Sequence, residues 1–171
     1  MSTFEIIGGK ELSGTITPQG SKNEALQIIC ATILTSKKIH LKNIPEIIDI
    51  INLINLLKIL GVNVKKKAAN EFIFEAKNIN REYYKDPKFK LFGSKIRGSV
   101  MIMGALLSRF GEAYIVKPGG DKIGRRRLDT HFEGFALLGA KFNYDAGEYF
   151  YSIEAKKLKK LLDPKKMISP S

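Results

Sequence analysis

The sequence has few of the residues that build covalent or metal-centred sites. Its 171 residues include one cysteine, Cys30, two histidines, His40 and His131, and no tryptophan. A lone cysteine cannot form an internal disulfide, so burial must hold the fold, and a reducing, cytoplasmic setting is expected. Cys30 sits in an apolar segment and reads as inert core rather than as a nucleophile. Neither histidine has a Cys, Asp or Glu neighbour at metal-ligand spacing, so no metal site is expected. Long apolar runs are also missing. The longest, Val100 to Leu107, counts eight residues with Gly104, well short of the about 20 that a membrane-spanning helix needs. The opening residues, MSTFEIIGGKEL, lack a basic segment followed by an apolar one, which speaks against a secretory leader. Gly8-Gly9 has no Gly-Lys-Ser/Thr after it and is no phosphate loop.

What is present is ordinary for a globular domain: 44% hydrophobic and 27% charged residues, a balance that excludes disorder along the whole chain. Twenty-nine basic residues against 17 acidic ones give a formal charge of +12, which invites a nucleic-acid reading. The lysines are spread widely and accompany many Ile and Asn residues, a bias that an AT-rich genome produces by itself. No recognised nucleic-acid motif supports the charge. The densest cluster, Lys156, Lys157, Lys159, Lys160, Lys165 and Lys166, reads either as a solvated tail or as an anion-binding patch.

The most informative pattern is an internal repeat. IPEIIDIINLINLLKILGVNV from Ile44 and RRRLDTHFEGFALLGAKFN from Arg125 are both amphipathic helices. Ile50, Leu53, Ile54 and Leu57 share a face of the first; Leu128, Phe132 and Phe135, with Leu138 close by, share a face of the second. Gly61 and Gly139 stand where a helix-terminating glycine belongs. Each helix is preceded by a more apolar one, in SKNEALQIICATILTSKKIHLKNIP from Ser21 and SKIRGSVMIMGALLSRFGEAYIVKPGG from Ser94. A strand follows each of these, Lys38 to Lys42 and Glu112 to Lys117. A hairpin closes each unit, with turns at Ala69-Asn70 and Asp145-Ala146-Gly147. The fold class is therefore α/β, built from two βαβαββ units. The apolar first helices, ALQIICATIL and SVMIMGALL, are expected to be buried on every side, and the second helices to face solvent. FEIIGGKELSGTITPQG reads as strands broken by glycine.

PQGSKNEAL at Pro18 to Leu26, SKIRGS at Ser94 to Ser99 and PGGDKIGRRRLDTHFEGFALLGA at Pro118 to Ala140 together resemble the enolpyruvyl transferases. The UDP-N-acetylglucosamine 1-carboxyvinyltransferases fit better than the 5-enolpyruvylshikimate-3-phosphate synthases, which usually carry Lys-Ser where this chain has Lys22-Asn23. The resemblance covers roughly Phe4 to Tyr151 and fades beyond Ala155. It implies part of an inverse α/β barrel, with residues 1–20 as strands of a second domain, 21–155 as two of the three repeats of the first domain, and 156–171 as a basic tail. It also implies that the 171 residues are an N-terminal portion of such an enzyme, inactive alone, with uncovered apolar surface open to self-association. Phosphoenolpyruvate and UDP-N-acetylglucosamine are the partners implied, with no nucleic acid, no membrane, no metal and no organic cofactor.

Site residues follow from the same resemblance, beside what their chemistry allows. Lys22 and Asn23 open a helix, whose N–H groups and partial positive charge suit an anion. Alternatively Lys22 is merely exposed, with Ser21 or Asn23 as the N-cap. The family places its phosphoenolpyruvate-contacting pair here. Arg97 opens the corresponding helix of the second unit, where a cation is unfavourable unless an anion arrives; the family uses an arginine there against substrate. Arg126 matches a substrate-contacting arginine. Arg127 replaces the family's usual proline. Main-chain groups of Arg127, Leu128, Asp129 and Thr130 are expected at the nucleotide. Asp129 could cap the helix, hold an arginine or touch the uracil. Asp121, after Pro118-Gly119-Gly120, stands where the family most often has a cysteine that protonates the phosphoenolpyruvate methylene and is alkylated by fosfomycin. A carboxyl group donates a proton only when protonated, which needs burial against the pull of the nearby cations.

Overall fold

The computed structural model describes residues 3–119, 127–147, 150–156 and 158. Residues 3–20 carry no strand and are exposed along almost their whole length, with Phe4, Ile6, Leu12 and Ile16 all about nine-tenths accessible. The strands expected here are not formed, because a strand needs a neighbour for its backbone N–H and C=O groups. Most of the expected basic tail, 157 and 159–171, lies outside the described residues.

Two units follow. In the first, α1 (Lys22–Ala31) runs on through a 3₁₀ turn, Thr32–Leu34, to β1 (Lys38–Leu41), α2 (Ile48–Ile59), β2 (Asn63–Ala68) and β3 (Glu71–Glu75). The second begins with a 3₁₀ turn at Tyr83–Lys85 and α3 (Pro87–Gly93). A further 3₁₀ turn, Arg97–Val100, enters α4 (Met101–Phe110), and β4 (Glu112–Val116), α5 (Asp129–Leu137), β5 (Lys141–Asp145) and β6 (Phe150–Glu154) complete it. Each unit makes a three-stranded antiparallel sheet of the same topology, β1-β3-β2 and β4-β6-β5. Lys38 lies opposite Glu75 in one and Glu112 opposite Glu154 in the other, so the repeat extends to the register. The leading strand of the expected βαβαββ unit is absent from both sheets among the described residues. The α/β class and the two hairpins stand as read, with Asn70 at φ 56° in the first turn and the Gly147 N–H donating to Asp145 Oδ1 at 2.9 Å in the second.

Local chemistry explains most element ends. Ser21 caps α1, its hydroxyl accepting from the Glu24 N–H at 3.4 Å. Gly61 and Gly139 take φ of +93° and +90° just past α2 and α5, the left-handed conformation that glycine adopts without a Cβ clash. Helix α3 has Asp86 as N-cap, accepting from the Lys88 N–H at 2.8 Å, and proline in its first turn.

One core joins the units. Ile29 and Ile33, Ile50, Leu53, Leu56 and Leu57 of α2, Phe74, and Ile102, Met103 and Leu106 of α4 are all under 2% exposed. Arg109 ties the seam, its Nη1 donating at 2.7 Å to the carbonyls of Ile33 and Ala76. Burial of α1 on every side is not realised. Its buried side is Ala25, Ile29 and Cys30, whereas Ile28 and Leu34 are 40% and 52% exposed. They line an apolar groove of about 440 Å³ with Met101, Gly104 and Ala105 of α4. Two units cover only part of the circumference of these helices. No helix among the described residues is long and apolar enough to cross a membrane.

Candidate functional site

The starts of the two equivalent apolar helices meet in a cleft of about 390 Å³. Helix α1 supplies Lys22, Asn23, Leu26 and Gln27; α2 supplies Asp49; the turn into α4 supplies Lys95, Arg97 and Gly98; and α5 supplies His131. Leu26 packs on Gly98 so closely that a Cβ there would lie 3.1 Å from its Cδ1, which draws the two helix starts together. Of the residues read from sequence, Lys22, Asn23 and Arg97 are brought into this one cleft.

Each cation has a defined neighbour. Lys22 is paired with Asp49, with about half of the lysine side chain and a third of the aspartate still accessible. The Arg97 Nη2 donates to the Arg127 carbonyl at 2.9 Å. Arg127 in turn pairs through Nε with Asp129. Among the openings left by the sequence, Asp129 is thus found holding an arginine; the N-cap position of α5 is Leu128, which makes no side-chain capping bond. Thr130 lies exposed in the first turn of α5.

Asp121 and Arg126 lie outside the described residues, as does all of 120–126. The ends of that segment are fixed. Gly119 lies against the Ser94 carbonyl so tightly that a Cβ would come within 1.8 Å of the oxygen, beside Lys95 of the cleft. At the other end, the Arg127 carbonyl is bonded by Arg97. Gly119 and Arg127, which flank that segment, thus both contact residues at the turn into α4. The first unit has a matching contact at the entry to α1, where a Cβ on Gly20 would lie 1.9 Å from the Asn43 carbonyl oxygen.

Sequence reasoning missed Asp49, Lys95 and His131 as cleft residues. Asp49 stands in the first turn of α2, where an acid is expected for the helix dipole alone. Nothing local announces that it faces Lys22. Lys95 lies inside the quoted SKIRGS motif. His131 follows the quoted arginine run and was weighed only as a metal ligand.

The arrangement gathers three cationic side chains, two amides and the N-terminal end of α1 around a space of metabolite size. Such a set suits a small polyanion with carboxylate or phosphate groups. Asp49 holds the Lys22 ammonium in the cleft while leaving it partly accessible.

A family model for EPSP synthase (3-phosphoshikimate 1-carboxyvinyltransferase) matches residues 6–163, reaching beyond Ala155. The UDP-N-acetylglucosamine 1-carboxyvinyltransferase of Bacteroides thetaiotaomicron is 52% identical over 158 residues, covering 92% of this chain and 36% of that protein. The enzyme of the same name from Porphyromonas gingivalis is 48% identical over 158 residues, with 92% and 36% covered. The chain thus spans little more than a third of the length of these relatives. Among solved structures, the enolpyruvyl transferase NikO from Streptomyces tendae superposes with a TM-score of 0.70 at 21% identity, over 89% of this chain and 32% of that one. EPSP synthase from Acinetobacter baumannii superposes at 0.60 and 16% identity, over 86% and 33%. Both share its fold, and with the family model matched along nearly the whole sequence, the chain belongs to the EPSP synthase (3-phosphoshikimate 1-carboxyvinyltransferase) family.

Proposed function

We propose that this chain forms one wall of an enolpyruvyl transfer site that takes phosphoenolpyruvate and UDP-N-acetylglucosamine. The observation that carries the reading is the convergence of Lys22, Asn23 and Arg97 from two helix starts on one cleft. Relatives near 50% identity that bear the carboxyvinyltransferase name favour the sugar nucleotide over 3-phosphoshikimate. In this reading Lys22, Asn23 and Arg97 hold the phosphate and carboxylate of phosphoenolpyruvate. Arg126 and the main chain of Arg127 to Thr130 meet the nucleotide. The 3′-hydroxyl passes its proton to the carboxylate that the resemblance assigns to the family's second domain, and its oxygen adds to C2 of phosphoenolpyruvate while Asp121, protonated, gives its proton to C3. Return of a C3 proton to the Asp121 carboxylate, with cleavage of the C2–O bond to the leaving phosphate, then gives the enol ether. Holding the anion in fixed geometry and stabilising developing charge supply the rate. The setting is cytoplasmic, where both substrates would be met.

The resemblance assigns a carboxylate that acts on the sugar hydroxyl, and two more arginines, to parts of the family with no counterpart in these 171 residues. The chain alone is therefore expected to bind phosphoenolpyruvate but to release phosphate at under about 1% of a full-length relative's rate, a loss on the order of 3 kcal/mol of transition-state stabilisation. Calorimetric titration with phosphoenolpyruvate tests the cleft. Lys22→Ala and Arg97→Ala should each weaken binding about tenfold or more with the circular dichroism spectrum unchanged. Unaltered affinity in both would overturn the assignment. Adding 3-phosphoshikimate in place of the sugar nucleotide separates the two acceptors. Fosfomycin should leave Asp121 unmodified and should alkylate the Asp121→Cys variant, since a thiolate is the stronger nucleophile.

A further inference from the structure

The two sheets differ on the face turned away from the helices. In the first unit that face carries Lys38, His40, Glu71, Ile73, Glu75, Asn63 and Lys65, all at least partly accessible. In the second, the linker of Tyr83–Lys85 and α3 folds back across it. Tyr84 stacks on Tyr114 of β4 at 4.2 Å between centroids and meets Phe150 of β6 edge-on at 6.4 Å. Phe150 is only 8% exposed despite lying on this outer face. Between linker and sheet remains a cavity of about 530 Å³, lined by Tyr84, Lys85, Lys90, Tyr114, Asn143, Asp145, Phe150 and Ser152. It shares no residue with the cleft that holds Lys22 and Arg97.

The lining specifies a chemistry. Tyr84 and Tyr114, stacked on each other and each partly accessible, and the nearly buried Phe150 present the uncovered parts of their rings to a flat ring. The Lys90 ammonium sits over the Phe150 ring, 5.0 Å from its centroid, and Lys85, paired with Glu82 at 2.5 Å, supplies a second ammonium. Asn143 and Ser152 face each other across the β5–β6 pair and can bond polar ring substituents. Among the lining residues Asp145 stands against Lys85 and Lys90, which leaves one net positive charge that a monoanion matches better than a dianion. Its volume is that of a small-molecule site. We infer that this cavity is a second binding site, for a small aromatic monocarboxylate. The inference does not depend on the enolpyruvyl reading.

Nuclear magnetic resonance titration of the 171-residue chain tests it, with 4-hydroxybenzoate as the probe. Phenol serves as the uncharged control and phenyl phosphate as the dianionic one. Saturable shifts are expected at the amides of Tyr84, Tyr114 and Ser152, with a dissociation constant on the order of 1 mM and with Lys22, Asn23 and Arg97 unmoved. The double substitution Lys85→Gln with Lys90→Gln changes two side chains at the rim and should weaken binding about tenfold. Phenol and phenyl phosphate should both bind more weakly than 4-hydroxybenzoate. Absence of saturation at 10 to 20 times that order of concentration, equal affinity for phenol or phenyl phosphate, or undiminished binding by the double variant would each overturn the proposal. So would shifts confined to the Lys22 and Arg97 cleft.

Discussion

The two units are built on one plan and are seated very differently. Helix α2 of the first buries Ile50, Leu53, Ile54, Leu56 and Leu57. Helix α5 of the second buries no residue fully; Leu128, Phe132 and Phe135 rest half-covered against the core. The second sheet is instead stabilised from its other side, where Tyr83, Tyr84 and Phe89 of the linker pack on Tyr114 and Phe150. The same topology is thus satisfied by an inner helix in one case and an outer strap in the other. The loosely held helix is the one that carries His131 and the main chain expected at a nucleotide. A site that must admit and release a ligand draws naturally on the less buried element.

The comparison can be broken hardest at its tightest backbone contacts. Gly119→Ala drives a methyl group into the Ser94 carbonyl and is expected to cost about 3 kcal/mol, read as a loss of midpoint in urea unfolding. Gly134→Ala, within α5 and with nothing inside 4 Å of the new Cβ, should stabilise by about 0.5–1 kcal/mol from helix propensity. Equal effects at the two glycines would show that α5 is packed as tightly as the loop root.

Core truncations come next. Leu53→Ala in α2, at a fully buried position, should cost about 3 kcal/mol through lost burial and a residual cavity. Phe132→Ala in α5 loses its stacking on Phe142, at 4.1 Å, but at a half-exposed position, and about 1–2 kcal/mol is expected. A Phe132 effect as large as the Leu53 effect would mean that α5 carries the second unit after all.

Much of this was legible in the sequence because short-range chemistry settles it. The four-residue apolar spacing of α2, the glycines ending α2 and α5, and the polar hairpin turns each act within a few residues. Helix α3 was not read from the sequence: Asp86-Pro87 marks its start, but its seven residues carry too little periodicity to stand out. The Lys22–Asp49 pair and the entry of Lys95 and His131 into the cleft depend on how units cross, which no local spacing encodes. Asn23 and Arg97 were found through family motifs, not through their own chemistry. The opening segment, expected as strands of a second domain, carries no strand in residues 3–20. Alternation in Phe4–Ile16 specifies a strand-like face, yet a strand forms only where another edge accepts it.

The smallest expected effect concerns Cys30. Burial pushes its thiol up to about 12, so a thiolate-selective reagent at pH 8 should modify it only as fast as the first unit opens. The folded state keeps a proton that the unfolded thiol sheds above about pH 8.5. Its contribution to stability is accordingly complete below that pH and declines above it. Rapid labelling in native buffer would show that the α1 groove, which Cys30 helps to line, admits the reagent to the sulfur without opening of the unit.

The Tyr83 hydroxyl donates to the Tyr114 carbonyl at 2.8 Å and accepts from the Tyr114 N–H at 2.7 Å. It thereby occupies the outward edge of β4 as an adjoining strand would, and burial raises its pKa well above that of a free phenol, against the opposing pull of the bond from the Tyr114 N–H. One side chain closes an edge to intermolecular pairing. Tyr83→Phe leaves both backbone groups unsatisfied, at about 1–3 kcal/mol. The larger consequence is kinetic. Amide exchange at Tyr114 should follow release of the strap rather than rupture of the sheet, and a population with the strap detached would expose a strand edge able to recruit a second molecule before the core has melted.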